Sequence, residues 1–327
     1  MKLASLKNGT RDGKLIVGAN DLRHAASAES IAATMQDALD DWENIAPNLQ
    51  LLAAELNAGN SKEKFLFDPK NVTAPLPRAY QWRDGSAFLN HGKLMEKAFN
   101  LPPMPDFETI PLMYQGGSDD FLGACDDAPF LSEENGIDFE GEYGVIVDDV
   151  PMGCKPEEAV QHVKLIVQIN DWSLRGFGPR EMKTGFGFFH AKPATAFAPV
   201  AITPDELGDA WSNGRINLPL HIQWNGAWFG HPNGREMNFS FYELIAHAAK
   251  TRRLRAGTII GSGTVSNADR SAGSACISER RVIELLDEGA SKTSFMHFGD
   301  TVQMEVFDES GQSVFGAITQ RVKKNNF

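Results

Sequence analysis

Glu140 and Glu142 stand two positions apart at the head of an apolar run, Tyr143-Gly144-Val145-Ile146-Val147. Residues two apart on an extended chain share a face, so a buried strand here sets two carboxylates side by side. In a low dielectric their repulsion costs several kcal/mol unless a proton or a cation intervenes. Another acid, Asp171, closes a second apolar stretch, Leu165 to Ile169 followed by Asn170. Asp84 lies in Tyr80-Gln81-Trp82-Arg83-Asp84-Gly85, seven residues before His91. Arg175 comes four residues after Asp171, and Lys192 sits between Phe188-Phe189-His190-Ala191 and Phe197-Ala198-Pro199, apolar surroundings in which an unpaired ammonium is costly. Each acid also has a plain structural explanation: Asp84-Gly85 as a turn, Asp171 as an N-cap or turn residue, Glu140 in a solvated loop beside a strand end. The residues by themselves leave both readings open.

The chain that must position these groups has 327 residues, enough for one large domain and a smaller appendage. Its 43 acidic and 31 basic side chains give a formal charge of -12, which repels a phosphate backbone, so nucleic acid is not an expected partner. The basic cluster Lys250 to Arg255 reads as the charged end of a helix. Cys125, Cys154 and Cys276 have no paired spacing suggestive of zinc or a disulfide framework, which fits a reducing cytoplasm. The first nine residues contain no apolar signal segment and no run of 18 apolar residues occurs, so neither export nor a membrane span is expected.

The opening predicts a hairpin, strands 2–7 and 14–17 around Asn8-Gly9 and Asp12-Gly13. Ile31, Met35, Ala38, Leu39 and Trp42 carry helical spacing, and Pro47 is placed to open a second helix through Leu49, Leu52, Ala53 and Leu56. The proline-rich stretch 61–78 marks a boundary, giving a small N-terminal domain, 1–72, and a larger one, 73–327. The larger one reads as mainly β in an α+β arrangement. Strands are predicted at 142–147, 165–169, 217–224, 258–260, 302–307 and 313–318, with helices few and best placed at 156–163 and 241–250.

As a set, the candidate residues resemble the fumarylacetoacetate hydrolase family. The resemblance rests on Asp84 with His91, Glu140-x-Glu142, Asn170-Asp171-Trp172-Ser173, Lys192 in its Ala-Lys-Pro-Ala-Thr turn, and Gly263-Thr264-Val265-Ser266, in family order. It implies a mixed β-sandwich roll preceded by the hairpin-and-helix domain, and a homodimer. It also implies metal ligation by Glu140, Glu142 and Asp171, with Asp84 a fourth ligand. Oxygen donors favour Mg2+, with Ca2+ and Mn2+ the other hard ions expected. By the same resemblance His91 is the base that activates water, Lys192 and Arg175 stabilise the oxyanion, and Tyr114 and Thr264 contact substrate. Glu279 is the nearest match to the glutamate that pairs with the histidine, through a loop of altered length.

The implied reaction is hydrolysis of a carbon-carbon bond in a small diketo acid, fumarylacetoacetate or a related acylpyruvate. Two departures bear on it. Gly178 stands where fumarylacetoacetases carry a Gln three residues after the Arg, and Leu94 stands where the oxo-acid decarboxylase branch has the Glu of a His-x-x-Glu pair. Decarboxylation of a 2-oxo acid and hydration of a 2-oxo-pent-4-enoate are the alternatives within the same superfamily. A binding or structural dimer with a vestigial metal pocket is the non-enzymatic one.

Overall fold

The computed structural model describes residues 1–99, 102 and 104–325. Its α+β architecture is organised by a large mixed sheet. In spatial order its strands are β4 (Lys64–Leu66), β3 (His24–Ser27), β2 (Lys14–Gly18), β1 (Lys2–Leu6), β13 (Ala201–Ile202), β10 (Val163–Asn170), β9 (Gly141–Val147), β18 (Thr258–Gly261), β5 (Trp82–Gly85) and β6 (Met113–Gly116), with β12 (Ala196–Phe197) pairing on β10. All neighbours are antiparallel except β18 and β5. A second sheet runs β17 (Ala227–Gly230), β16 (Leu220–Trp224), β19 (Thr301–Val306), β20 (Ile318–Lys324) and β7 (Ala128–Phe130). Two short ribbons pair β8 (Ile137–Asp138) with β11 (Ser173–Leu174) and β14 (Trp211–Ser212) with β15 (Arg215–Ile216).

The centre of the large sheet is covered on both faces, which explains why its strands read as unbroken apolar runs. Along β10, Leu165, Val167 and Ile169 join the core beneath α1 (Met35–Asp40) and α2 (Trp42–Asn57), while Ile166 joins the core between the two sheets. Gln168 and Asn170 share the face of Ile166. They donate across the gap to the Met304 carbonyl (3.0 Å) and to Gln320 Oε1 (3.3 Å). The N-terminal strands are no separate sheet, because Lys2 pairs with Ile202 and extends the same ladder.

The hairpin at the start forms as read, and Gly13, at φ +64°, is required because a Cβ there would meet the Leu6 carbonyl oxygen at 2.7 Å. Three expectations need correction. Pro47 does not open α2 but lies inside it, one turn beyond the start at Trp42, where the bond it forfeits is a single one near the helix end. The strand expected at 313–318 runs instead from Ile318, since Gly316 at φ +75° breaks the extended path while Val314 and Phe315 turn into the core. Helices are more numerous than expected: besides α4 (Pro156–Ala159) and α6 (Phe241–Ala248) there are α3 (Leu89–Phe99), α5 (Gly178–Thr184) and α7 (Ile277–Glu288). Among the described residues, no helix is long and apolar enough to cross a membrane.

Candidate active site and metal centre

Asp84 is the third residue of β5, Glu142 the second of β9, and Asp171 follows the end of β10. Register brings them to one end of the sheet: Glu142 sits opposite Ile169, and Gly261 of the intervening β18 lies opposite both Gly144 and Asp84. Gly261 leaves room for the acid, since a Cβ there would stand 2.4 Å from Asp84 Oδ1. One carboxylate oxygen from each of Asp84, Glu142 and Asp171 lies within 4.8 Å of the others, and all three residues are buried.

Their partners differ. Asp84 Oδ1 accepts from the Gly263 amide (2.9 Å). Asp171 Oδ1 accepts from Thr195 Oγ1 (2.8 Å), and its Oδ2 from Tyr114 Oη (2.7 Å) and Lys192 Nζ (2.6 Å). Both oxygens of Glu142 are buried without any hydrogen-bond partner. Burial, then the charges of Asp84 and Asp171, push the Glu142 carboxyl well above its ordinary range. Burial and Asp171 push Asp84 up to about 8. An orphaned carboxylate facing two more acids fits a divalent cation, and the donors are all hard oxygens with no His or Cys among them.

Glu140 is not one of the three acids whose oxygens lie within 4.8 Å of one another, but the Lys192 ammonium bridges it to Asp171. Glu140 precedes β9, and its Oε2 accepts from Lys192 Nζ (2.6 Å) while its Oε1 lies 2.6 Å from Arg175 Nη2. Burial works against its charge, but Lys192 and Arg175 outweigh that and hold its carboxyl well below the usual range. Burial also disfavours the charge on Lys192, and Asp171 and Glu140 more than offset it. The ammonium stands 5.5 Å from the Tyr114 ring centroid. Burial, then Asp171 and Asp84, raise the Tyr114 phenol well above its ordinary value, so it remains a donor.

The histidine comes from another layer. His91 is the third residue of α3 and Glu279 the third of α7; the helices pack together, and His91 Nδ1 lies 2.8 Å from Glu279 Oε2. The start of α3 is pinned by the Leu89 amide on Asn238 Oδ1 (2.9 Å) and by Asn90 Nδ2 on Ser266 Oγ (2.8 Å). Thr264 is buried in the loop whose Gly263 holds Asp84.

Two residues escaped the sequence reading. Thr195, three residues beyond Lys192, donates to Asp171. Asp138, two before Glu140, accepts from Arg175 Nε (2.8 Å). The alternation Asp138-x-Glu140-x-Glu142 was the available signal for the second. Five buried carboxylates thus face two cations, Lys192 with 7% and Arg175 with 23% of the side chain exposed, an excess of three negative charges when all are ionised.

Residues 81–323 match the family model described as fumarylacetoacetate (FAA) hydrolase C-terminal, and residues 1–78 match fumarylacetoacetase N-terminal domain 2. Among curated proteins, a 2,4-didehydro-3-deoxy-L-rhamnonate hydrolase from Sphingomonas sp. (strain SKA58) is 27% identical over 168 residues, 50% of this chain and 55% of that protein. The fumarylacetoacetase fahA of Aspergillus fumigatus is 24% identical over 296 residues, 74% of this chain and 68% of that one. The chain therefore spans little more than half the length of the first of these relatives. Among solved structures, maleylpyruvate hydrolase from Sphingobium sp. SYK-6, in complex with manganese (II) ion and pyruvate, has the same fold, with a TM-score of 0.66, 15% identity and 100% of both chains covered. With a family model extending over most of its length, this chain belongs to the fumarylacetoacetate hydrolase family.

Proposed function

We propose that the protein hydrolyses a carbon-carbon bond in a small diketo acid, with fumarylacetoacetate the first substrate to try and acylpyruvates the related class. The observation that carries this reading is the unpartnered Glu142 carboxylate converging with Asp84 and Asp171 in a site that also holds a His-Glu pair. Mg2+ is the proposed resident ion, held by Asp84, Glu142 and Asp171, with Mn2+ an alternative of the same donor preference. When bound, such an ion polarises the oxygens of a 1,3-dicarbonyl and favours its enolate.

The chain's own groups account for the rest. Glu279 occupies Nδ1 of His91, so the ring presents Nε2 to a water, takes its proton and directs the hydroxyl to the acyl carbon. Lys192 and Arg175, both kept charged by their carboxylate partners, supply the fixed positive field for the developing oxyanion. As the bond between the acyl carbon and the neighbouring carbon breaks, that neighbouring carbon takes the proton from Nε2, and two acids leave.

Turnover of purified protein with Mg2+ or Mn2+, over a panel of fumarylacetoacetate, acylpyruvates, oxaloacetate and 2-oxo-pent-4-enoate, tests the reading. Equimolar fumarate and acetoacetate from fumarylacetoacetate, or a carboxylic acid and pyruvate from an acylpyruvate, is the expected result. Carbon dioxide release, hydration or isomerisation without cleavage overturns it.

A further inference from the structure

Among the catalytic groups named so far, Arg175 stands beyond β11 and the His91–Glu279 pair on α3 and α7. One buried side chain touches both supports. Asp138, fully buried, accepts at Oδ2 from Arg175 Nε (2.8 Å) and from the Ser278 amide (2.9 Å), and at Oδ1 from the Ile277 amide (2.8 Å). Arg175 Nη2 lies 2.8 Å from the same Oδ2 and 2.6 Å from Glu140 Oε1.

The helix start needs this help. The N-cap of α7 is Cys276, whose sulfur receives the Glu279 amide at 3.3 Å, a weak acceptor in a position where Ser, Thr, Asp or Asn ordinarily supplies an oxygen. Asp138, 139 residues away in the chain, provides the missing anion for the two preceding amides and faces the positive end of the helix. Glu279 is the next residue, so its carboxylate is fixed from the turn that Asp138 holds. The opposite side of the same carboxylate orients the guanidinium.

We propose that Asp138 is a positioning residue that fixes Arg175 and the His91–Glu279 pair relative to one another, an inference that rests on the catalytic reading given above. Both its oxygens are committed to Arg175 and to the Ile277 and Ser278 amides. Its effect on rate must therefore run through the groups it holds.

A double-mutant cycle separates this from general destabilisation. Asp138→Asn keeps the shape and removes the anion, and is expected to lower kcat by about 10²-fold, the order contributed by a positioned base. In a His91→Ala background the same change is expected to cost about tenfold or less, because the share transmitted through the pair has gone. Equal factors in both backgrounds overturn the proposal. Cys276→Ser, which gives α7 an oxygen cap, is expected to restore part of the kcat lost in Asp138→Asn; no recovery removes the link through the helix. Should Asp138→Asn fail to fold, the Asp138→Asn/Cys276→Ser protein carries the same cycle.

One arm needs no turnover. In 1H–15N spectra, the imidazole N–H resonance that vanishes in His91→Ala reports the bond to Glu279, and it is expected to be lost to water exchange in Asp138→Asn but retained in Cys276→Ser. Persistence of that signal in Asp138→Asn overturns the positioning role even if the parent enzyme proves inactive on every acylpyruvate, an outcome that would instead overturn the catalytic reading.

Discussion

His91 and Glu279, 188 positions apart in the chain, meet at 2.8 Å because α3 and α7 lie against each other with their first turns adjacent. Glu279 is 1% exposed, so the contact is shielded from competing water on the carboxylate side. The pairing fixes the ring orientation and leaves Nε2 as the nitrogen available for the proposed proton transfer.

Replacing Glu279 by Gln keeps the volume and removes the carboxylate that orients the His91 ring. The expected outcome is a loss of about 10²-fold in kcat with metal affinity unchanged. Steady-state kinetics beside a Mn2+ titration checks it. A parallel loss of metal binding would mean that Glu279 belongs to the ion and not to the histidine.

Much of the site was legible as residue types and spacings, whereas the division of labour among them was not. Glu140 and Glu142 look equivalent in sequence, but Lys192 and Arg175, brought from 52 and 35 positions further along the chain, engage the first and leave the second bare. The strands were readable because burial on both faces writes long apolar runs. The helices carrying His91 and Glu279 were not: α7 lacks an oxygen N-cap, and α3 contains Gly92, a residue that costs about 1 kcal/mol in a helix interior. Gly92 is there for packing, since a Cβ would stand 2.4 Å from the Phe107 ring.

The acid cluster predicts an unusual pH response in the metal-free protein. Asp84, ordinarily 3.8, is raised to about 8, and Glu142, ordinarily 4.5, is raised well above that value. Folded protein then holds protons that the unfolded chain has released, so stability falls as pH rises from the ordinary carboxylate range toward 8, by up to about 1.4 kcal/mol per pH unit for each proton held. Glu140, shifted downward, acts only below its ordinary 4.5. Calorimetry in EDTA should give a lower Tm at pH 8 than at pH 6, and the gain in Tm on adding Mg2+ should be larger at pH 8. A metal-free Tm that rises across this interval would refute the assignment.

Lys192→Met removes a buried cation while keeping an apolar stem. Glu140 and Asp171 then lose the ammonium that bonds both at 2.6 Å, and breaking such a buried pairing costs roughly 3 to 5 kcal/mol. Urea unfolding in EDTA measures this directly. A change below about 1 kcal/mol, the range of exposed ion pairs, would show that solvent already screens the contact.

The parallel pairing of β18 with β5 has a further consequence. It sets Asp84 level with Gly261 and, through β9, with the strand that bears Glu142, so the spacing between those two acids is dictated by main-chain ladders. His91, Arg175 and Lys192 instead hang from helix starts and turns outside the large sheet. The separation of these acids is thus set by a rigid frame, while His91, Arg175 and Lys192 sit on segments that insertions or exchanges would reshape without disturbing that frame.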